Sequence, residues 1–277
     1  KQVVDGRQRI SAILDFLEGK FKLNNLRILK QFNGCCFADL DLKQQGVIED
    51  FQLLFYIIQP PTPERVKYDI FDRVNRGGTP LNKQEMRNAL YRGRCTRMLD
   101  KLCCSPEFLI ATGRSINKER MKDQYVVLRA MAFLMLHRGE FKDIPALQYR
   151  GDIDDFLARF MVYVNDNAPE KLIVDYENLF IRCMQISYDL LGENGFRFSG
   201  NGIRRPINMP LFEALSYLFS FVPEKIDYTW ASRLILDIES VKEEFDDSRY
   251  FSGNIDSTTS VSFRFDRMDK IINRIQL

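Results

Sequence analysis

The pattern of apolar and polar positions predicts that most of this chain is helical. After about residue 96, apolar residues recur three and four positions apart, which is the spacing of an amphipathic helix. Gly192 follows one of the predicted helices in the position of a helix stop. The apolar stripes predict a packed core rather than cofactor pockets. The clearest predicted helices cover residues 125–137, 153–164, 172–191, 211–221 and 228–244.

The first 95 residues have a more mixed pattern. Gln2-Val3-Val4 is predicted to end a buried strand, and the β-rich run from Phe51 to Ile58 predicts a second strand. Between them, apolar residues at helical spacing predict a helix over residues 10–17, with Gly19 suited to its C-terminal cap. We therefore expect an α+β, mostly helical chain, with an α/β lobe over residues 1–95 followed by a larger helical domain over residues 96–277.

The candidate chemistry begins at the first strand–helix junction, Asp5-Gly6-Arg7-Gln8-Arg9. A glycine at such a junction lets a ligand approach the backbone, and the first N–H groups of the helix point towards that ligand. Two arginines in the first turn oppose the helix dipole, and a bound anion would resolve this conflict. The segment thus predicts phosphate binding, while a solvated surface turn is the alternative interpretation.

A second segment, Phe71 to Ala89, predicts two helices joined by a tight loop. The first helix opens with Thr62-Pro63 and ends at Gly77-Gly78. Asn82 is predicted to cap the second helix, with Glu85 three residues later completing a capping box. The polar side chains that this segment carries are Asn75, Arg76, Arg87 and Asn88.

Together, these two segments resemble the DGQQR family typified by GmrS, also called domain of unknown function 262. That family is related to the ParB/sulfiredoxin-like fold, so the resemblance implies a partial fold of this kind in the N-terminal lobe. Arg7 stands where the family usually has glutamine. Because the chain begins four residues before Asp5 and without methionine, we expect part of the family's N-terminal segment to precede it. Weaker similarity continues in Arg120–Asp123 with Arg129, in Arg205–Asn208 with Leu211–Glu213, and in Ser260–Phe265.

The resemblance implies a domain of a modification-dependent restriction or anti-phage system of the GmrSD or SspE type that hydrolyses or senses a nucleoside triphosphate. Asp5, Gln8 and Arg9 would be catalytic, and Asp5 would orient water or hold a divalent cation, Mg²⁺ or Ca²⁺. The cytoplasmic protein would couple the nucleotide to DNA recognition or to control of a nuclease partner or nuclease domain. The residues implied to bind the nucleotide's phosphates are Gly6, Arg7, Asn75, Arg76, Gly77, Gly78, Arg87 and Asn88.

Composition excludes several classes of enzyme. The single histidine, His137, cannot supply the paired ligands of a zincin, and it makes an HNH nuclease site unlikely. From the histidine count, we expect residues 1–277 not to include the HNH module that often follows the family's N-terminal domain. No P-loop motif occurs, and no apolar run reaches the roughly 20 residues that span a bilayer. The six cysteines form no Cys-x-x-Cys pair, which favours reduced thiols.

The net charge is only +2, but basic and acidic residues are unevenly distributed along the chain. Residues 73–101 contain eight basic and two acidic residues, whereas residues 236–247 contain six acidic residues and one lysine. The basic excess lies beside the second motif, as a phosphate or nucleic-acid site requires. A solvated helix face is an equally good explanation of the part from Arg92 to Lys101.

Two alternative functions remain open from the sequence. The first is a ParB-like module that binds DNA without turnover and therefore weakens steeply as salt rises. The second is direct cleavage of DNA, which requires several convergent carboxylates. Because Asp5 is the only acid in the first motif, the nuclease interpretation depends on a cluster that joins Asp5 to Asp72 or Glu85.

Overall fold

A computed structural model describes residues 6–57, 59, 62, 66, 69–70, 73, 80–200, 204–223 and 227–275. The chain divides into two compact units, Lys1–Pro80 and Leu81–Leu277, and each is described by itself. The second unit therefore begins just before the helix that Asn82 was predicted to cap. The predicted domains 1–95 and 96–277 stay a prediction.

In its described residues, the first unit contains the helices α1 (Arg7–Leu17) and α2 (Leu42–Glu49), with short 3-10 turns at Lys30–Phe32 and Phe37–Asp39 between them. Residues 66, 69–70 and 73 are also helical, as predicted for the helix that opens at Thr62. α1 ends as predicted, because Glu18 is its C-cap and Gly19 follows with a left-handed φ of 71°. Its one buried side chain is Phe16, whose ring packs against those of Phe21 and Phe37 at centroid distances of 5.5 and 6.0 Å. The described part of this unit is thus held by a small aromatic cluster.

The predicted strand over Phe51 to Ile58 is wrong for residues 51–57, which adopt no regular structure. A strand needs a neighbour to pair its backbone, and its side chains need one buried face to fix the alternation. Phe51, Leu54 and Phe55 are all more than half exposed. No β-strand occurs anywhere in the described residues, so the ParB-like α/β lobe is not supported by them, whereas the mostly helical character is confirmed. The other predicted strand, residues 2–4, lies outside the described residues.

The second unit is built from nine α-helices in its described residues. These are α3 (Lys83–Leu90), α4 (Arg94–Cys103), α5 (Pro106–Ala111), α6 (Lys122–His137), α7 (Ile153–Asp166), α8 (Glu170–Leu191), α9 (Met209–Phe219), α10 (Tyr228–Asp247) and α11 (Thr258–Ile275).

Helices α6 and α9 form the centre of this unit. α6 packs against α9, α4 and α7, and α9 also packs against α11 and α8. Both helices are apolar around most of their circumference, which is typical of helices buried on all sides. Two charged residues interrupt these apolar helices, Arg129 in α6 and Glu213 in α9, and both are buried.

Several local predictions are confirmed at helix ends. Asn82 caps α3 by accepting hydrogen bonds from the backbone N–H groups of Gln84 and Glu85, each at 2.8 Å, and Glu85 accepts in return from the N–H of Asn82. Gly192 ends α8 with a positive φ of 61°. α3 ends at Leu90, and Gly93 precedes α4 as its N-cap residue.

All six cysteines are described and none forms a disulfide. Cys95, Cys103 and Cys183 are buried, and burial raises the pKa of each thiol, that of Cys183 to about 12. Within the described residues, no helix is long and apolar enough to cross a membrane.

Candidate functional site

The first candidate site is the N-terminal end of α1. Gly6 is the N-cap residue and has a φ of 85°, a left-handed conformation that a side chain would disfavour. Glycine has no side chain with which to cap the helix, and the first turn of α1 contains no acidic residue. Among the described residues, the N–H groups of this turn therefore have no first-turn carboxylate beside them, and an anion there would be stabilised.

Three predicted polar side chains lie in this first turn. Arg7, Gln8 and Arg9 are all exposed. The guanidinium of Arg9 bends back over Gly6, because a Cβ placed on Gly6 would lie 3.7 Å from Nη2 of Arg9. This arrangement places a guanidinium group beside the N-terminus of the helix. The remaining predicted residues of the first unit, Asp5, Asn75, Arg76, Gly77 and Gly78, lie outside the described residues.

The predicted residues Arg87 and Asn88 lie on α3, in the second unit. Arg87 is fully buried, with 0% of its surface exposed. Its Nη1 donates to Asp154 at 2.8 Å and its Nε donates to Gln84 at 3.0 Å, while its guanidinium carbon lies 5.2 Å from the centre of the Tyr125 ring. Nη2 is buried and has no hydrogen-bond partner in the described residues.

The carboxylate of Asp154, at the start of α7, is shared between two cations. It accepts hydrogen bonds from Arg87 and from the largely exposed Lys83. Although burial opposes ionisation, these hydrogen bonds hold the pKa of Asp154 below its usual value. Lys83, Arg87 and Asp154 together therefore carry one net positive charge.

Asn88 is engaged in a polar network rather than presented to solvent. Its side-chain oxygen accepts from Gln84 at 2.8 Å, and its amide nitrogen donates to Gln124 of α6. Gln124 donates in turn to Asp100 of α4 at 2.6 Å. Asn88 thus ties α3 to two neighbouring helices, a contribution to packing that the sequence did not predict.

A cavity of about 470 Å³ adjoins Arg87. It lies between α3 and the N-terminal end of α6, and Tyr125 forms part of its wall. Cationic side chains outnumber acidic ones in the lining, in which Glu119 is the one carboxylate among the described residues. The lining residues are Asn82, Lys83, Gln84, Arg87, Asn117, Glu119, Arg120, Met121, Lys122 and Tyr125.

The segment between this cavity and α6 has an unusual backbone. Arg120 and Met121 are consecutive non-glycine residues with left-handed φ values of 56° and 58°, a conformation of elevated energy for side-chain-bearing residues. Asn82 donates to the carbonyl of Arg120 at 2.6 Å, and the guanidinium of Arg120 pairs with Glu85 at 2.9 Å, which lowers the pKa of Glu85. The capping box of α3 thus holds this strained turn in place.

A second cluster of charges is buried deeper in the same unit. Glu213 of α9 receives hydrogen bonds from Arg129 of α6 and from Arg264 of α11, the latter at 2.7 Å. Arg129 also donates to Asp256 at 2.6 Å and to the hydroxyl of Tyr125 at 3.1 Å. Arg129, Glu213 and Arg264 come from three separate helices, and the fold brings them together.

Other sequence features are accounted for by ion pairs at the surface of the second unit. In the basic run, Arg94 pairs with Glu170 at 3.2 Å and Lys101 pairs with Glu177. In the acidic run, Glu244 pairs with Arg267 and Asp237 pairs with Arg274 at 3.5 Å, both arginines being on α11. Much of the local charge excess is therefore neutralised by neighbouring helices.

The loop from Phe196 to Asn208 borders a separate cavity of about 380 Å³. Arg197 is buried there and donates to the carbonyls of Thr112 and Arg205, and burial lowers its pKa. Arg204 and Arg205 are paired with Glu193 and Asp246. The three arginines of this loop are thus already bonded to carbonyl and carboxylate groups of the protein itself.

Sequence reasoning found Arg87 but missed the residues around it. Asp154 was visible only as an acid near the start of a predicted helix, 67 positions away along the chain. The carboxylate cluster on which the nuclease interpretation depends involves Asp5 and Asp72, which lie outside the described residues. Glu85, its third member, is engaged with Asn82 and Arg120. Within the residues that are described, no three His, Cys, Asp or Glu side chains are grouped as a metal site.

Comparison with known proteins gives one match. Residues 1–92 match the family model described as the N-terminal domain of the GmrSD restriction endonuclease. Neither the curated proteins nor the solved structures contain a significant match to the chain. The matched stretch includes the Asp5–Arg9 motif, α3, Arg87 and Asn88, and it relates this third of the chain to a component of a restriction system.

Proposed function

We propose that this chain is the part of a modification-dependent restriction or anti-phage system that hydrolyses or senses a nucleoside triphosphate. In this proposal, the nucleotide state controls DNA recognition or a nuclease partner or nuclease domain. The observation that carries it is the N-terminal end of α1, where a left-handed Gly6, two arginines and the absence of a first-turn acid favour a bound anion. The match of residues 1–92 to a restriction-endonuclease domain supports the biological setting.

Each residue of the motif has a role in this proposal. The backbone at Gly6 and the side chains of Arg7 and Arg9 bind the triphosphate, and Arg9 stabilises the charge that develops during phosphoryl transfer. Gln8 positions the attacking water. Asp5 orients that water or binds the divalent cation, which would reduce the charge of the triphosphate when bound. The further residues that the family resemblance implies for binding the phosphates are Asn75, Arg76, Gly77, Gly78, Arg87 and Asn88.

Phosphate release from nucleoside triphosphates tests this proposal. The full chain is supplied with each triphosphate, with Mg²⁺ or Ca²⁺, and with or without modified DNA. We expect turnover in the wild type and a loss of at least about a hundredfold in Arg9→Ala, because removing one charge-stabilising donor costs roughly 10²–10³ in rate. Arg27→Ala is the matched control, since Arg27 is an exposed arginine of the same unit outside the motif.

The outcomes separate the competing functions. Equal turnover in Arg9→Ala and Arg27→Ala would refute the catalytic assignment. A wild-type protein that binds DNA but releases no phosphate under any condition would be a DNA-binding module instead. Cleavage of DNA without added nucleotide would support direct nuclease action.

A further inference from the structure

The cavity beside Arg87 adjoins a buried donor that the described packing of the second unit leaves without an acceptor. We infer that it is a binding site for a phosphate group, supplied either by a free nucleotide or by a nucleic-acid backbone. Arg87 also belongs to the proposed nucleotide site, but this inference is argued from the cavity alone and does not require that the chain hydrolyses nucleotides.

The first argument is the unsatisfied guanidinium of Arg87. Two of its three nitrogens are bonded to Asp154 and Gln84, whereas the buried Nη2 has no partner in the described residues. A buried donor of a charged group without an acceptor is costly, so native proteins seldom retain one without a reason. An oxyanion in the adjoining cavity would supply the missing acceptor, and guanidinium groups match phosphate oxygens well.

The second argument is the helix end at the opposite side of the cavity. α6 is 16 residues long, and its N-cap residue Met121 makes no side-chain cap. The carboxylate of Asp123 binds the N–H of Gln124, and Asp123 does not line the cavity. Helix N-termini favour anions through their N–H groups and dipole. The strained turn at Arg120 and Met121 brings this helix end to the cavity that Arg87 also lines.

The third argument is the balance of charge around the cavity. Asp154 neutralises only one of Lys83 and Arg87, while Glu85 neutralises Arg120. Lys122 is exposed at the rim, and Glu119 is the one acid among the described lining residues. The surroundings therefore keep a positive excess that a phosphate group would balance.

The size of the cavity fits such a ligand. Its volume of about 470 Å³ falls within the range of small-molecule sites, roughly 300–1,000 Å³. A pyrophosphate is much smaller than this, and a nucleotide fills a larger share of it. Because Tyr125 is already contacted by Arg87 and Arg129, the phosphate rather than a stacked base is the group that the site recognises.

Calorimetric titration of the full chain tests this inference with three probes: pyrophosphate, a nucleoside triphosphate and a short DNA duplex. We expect Lys122→Glu to weaken pyrophosphate binding about tenfold or more, because it reverses a charge at the rim. Arg87→Lys keeps a cation beside Asp154 but removes the forked donor, so we expect a similar loss. Lys270→Glu, at an exposed position of α11, is the matched control, and we expect binding within about twofold of wild type.

The decision rests on Lys122→Glu, since Lys122 is exposed and its replacement leaves the core intact, and thermal unfolding verifies that Arg87→Lys is folded. All titrations are repeated in an Arg9→Ala background, which removes the proposed site at α1. Pyrophosphate binding that survives in Arg9→Ala and falls in Lys122→Glu supports the cavity, even if the wild type shows no turnover. Binding that is unchanged in both cavity variants, or absent for all three probes, overturns it.

The probes also identify the source of the phosphate once the cavity is supported. Tighter binding of the triphosphate than of pyrophosphate, with loss in Lys122→Glu, assigns the site to a nucleotide. Binding of the duplex that depends on Lys122 and is displaced by pyrophosphate assigns it to a nucleic-acid backbone.

Discussion

The two units of this chain differ most in how they use apolar side chains. In the described part of Lys1–Pro80, Phe16 and Leu40 are the buried apolar residues, and large side chains such as Ile28, Leu42 and Tyr56 are more than four-fifths exposed. In Leu81–Leu277, nine helices enclose a continuous apolar core with buried ion pairs inside it. The motif at α1 lies in the first unit and the cavity at Arg87 lies in the second.

This difference shows that the two candidate sites are held in place by different kinds of interaction. The α1 motif depends on a local backbone feature, a left-handed glycine before a helix, and therefore needs few tertiary contacts. The position of Arg87 depends on Asp154, which comes from a distant helix. Substitutions in the first unit should therefore change activity with little change in stability, whereas substitutions among the buried charges of the second unit should unfold it.

The largest expected effect is at Glu213. Glu213→Gln removes the charge between Arg129 and Arg264 and leaves two buried cations with Asp256 as their remaining carboxylate. We expect the free energy of unfolding in urea at pH 7 to fall by about 3–5 kcal/mol. Glu243→Gln, at an exposed position of α10, should change it by less than about 0.5 kcal/mol. Similar stabilities of the two variants would show that the buried charges do not support the fold of the second unit.

The next largest effect concerns pH and His137. Burial, together with the nearby charge of Arg264, lowers the pKa of His137 to about 3, and its ring stacks on Phe265 at 3.6 Å. The unfolded chain takes up a proton near pH 6.5 and the folded chain does not. The contribution of His137 to stability is therefore present above pH 6.5 and is lost progressively as the pH falls from about 6.5 towards 3.

This loss amounts to about 2–3 kcal/mol between pH 6.5 and 4.5, at about 1.4 kcal/mol per pH unit. The measurement is the free energy of unfolding in urea at several pH values for the wild type and for His137→Gln. We expect the pH dependence of the variant to be shallower by this amount. Parallel curves for the two proteins would contradict burial of a neutral histidine.

A smaller effect is expected at the start of the second unit. Asn82→Ala removes the cap of α3 and the hydrogen bond to the carbonyl of Arg120, and should lower the free energy of unfolding by about 1–2 kcal/mol. Asn82→Asp keeps the cap acceptor and should lose less than the alanine variant. Thermal unfolding of the three proteins measures this, and an alanine variant as stable as the aspartate variant would show that the cap contributes nothing.

The smallest effect on stability is expected in the first unit. Arg7 is exposed in the first turn of α1, so Arg7→Ala should change the free energy of unfolding by less than about 0.5 kcal/mol. In the proposed function, the same variant weakens triphosphate binding. A marked loss of stability in Arg7→Ala would show that the arginine supports the fold, and the contrast between the two units would then be weaker.

The sequence predicted local features well and long-range contacts poorly. The capping box at Asn82 and Glu85 and the stop at Gly192 were predicted because such signals lie within a few residues of each other. The strand over residues 51–58 was predicted wrongly, since β-propensity reflects partners and burial that this segment lacks over residues 51–57. The bounds of most long helices of the second unit were correct to within about three residues.

The buried ion cluster shows what sequence alone does not give. Arg129 and Glu213 each stand alone in an apolar stretch, which signals that each needs a partner. The sequence does not say which partner, because the pairing depends on how α6, α9 and α11 pack. In the same way, Arg87 was recognised as a site residue, but its pairing with Asp154 and the cavity beside it are properties of the folded chain.

The ion cluster has a consequence for the order in which the protein can be made. Arg129 and Glu213 are synthesised well before Arg264, which lies on the last described helix. Until α11 has left the ribosome, Glu213 lacks one of its two arginines and the apolar sides of α6 and α9 lack a covering helix. The apolar surface of the nascent second unit therefore stays exposed until α11 has been synthesised. A ribosome that stalls before residue 258 would leave a chain that depends on chaperones to keep it from aggregating.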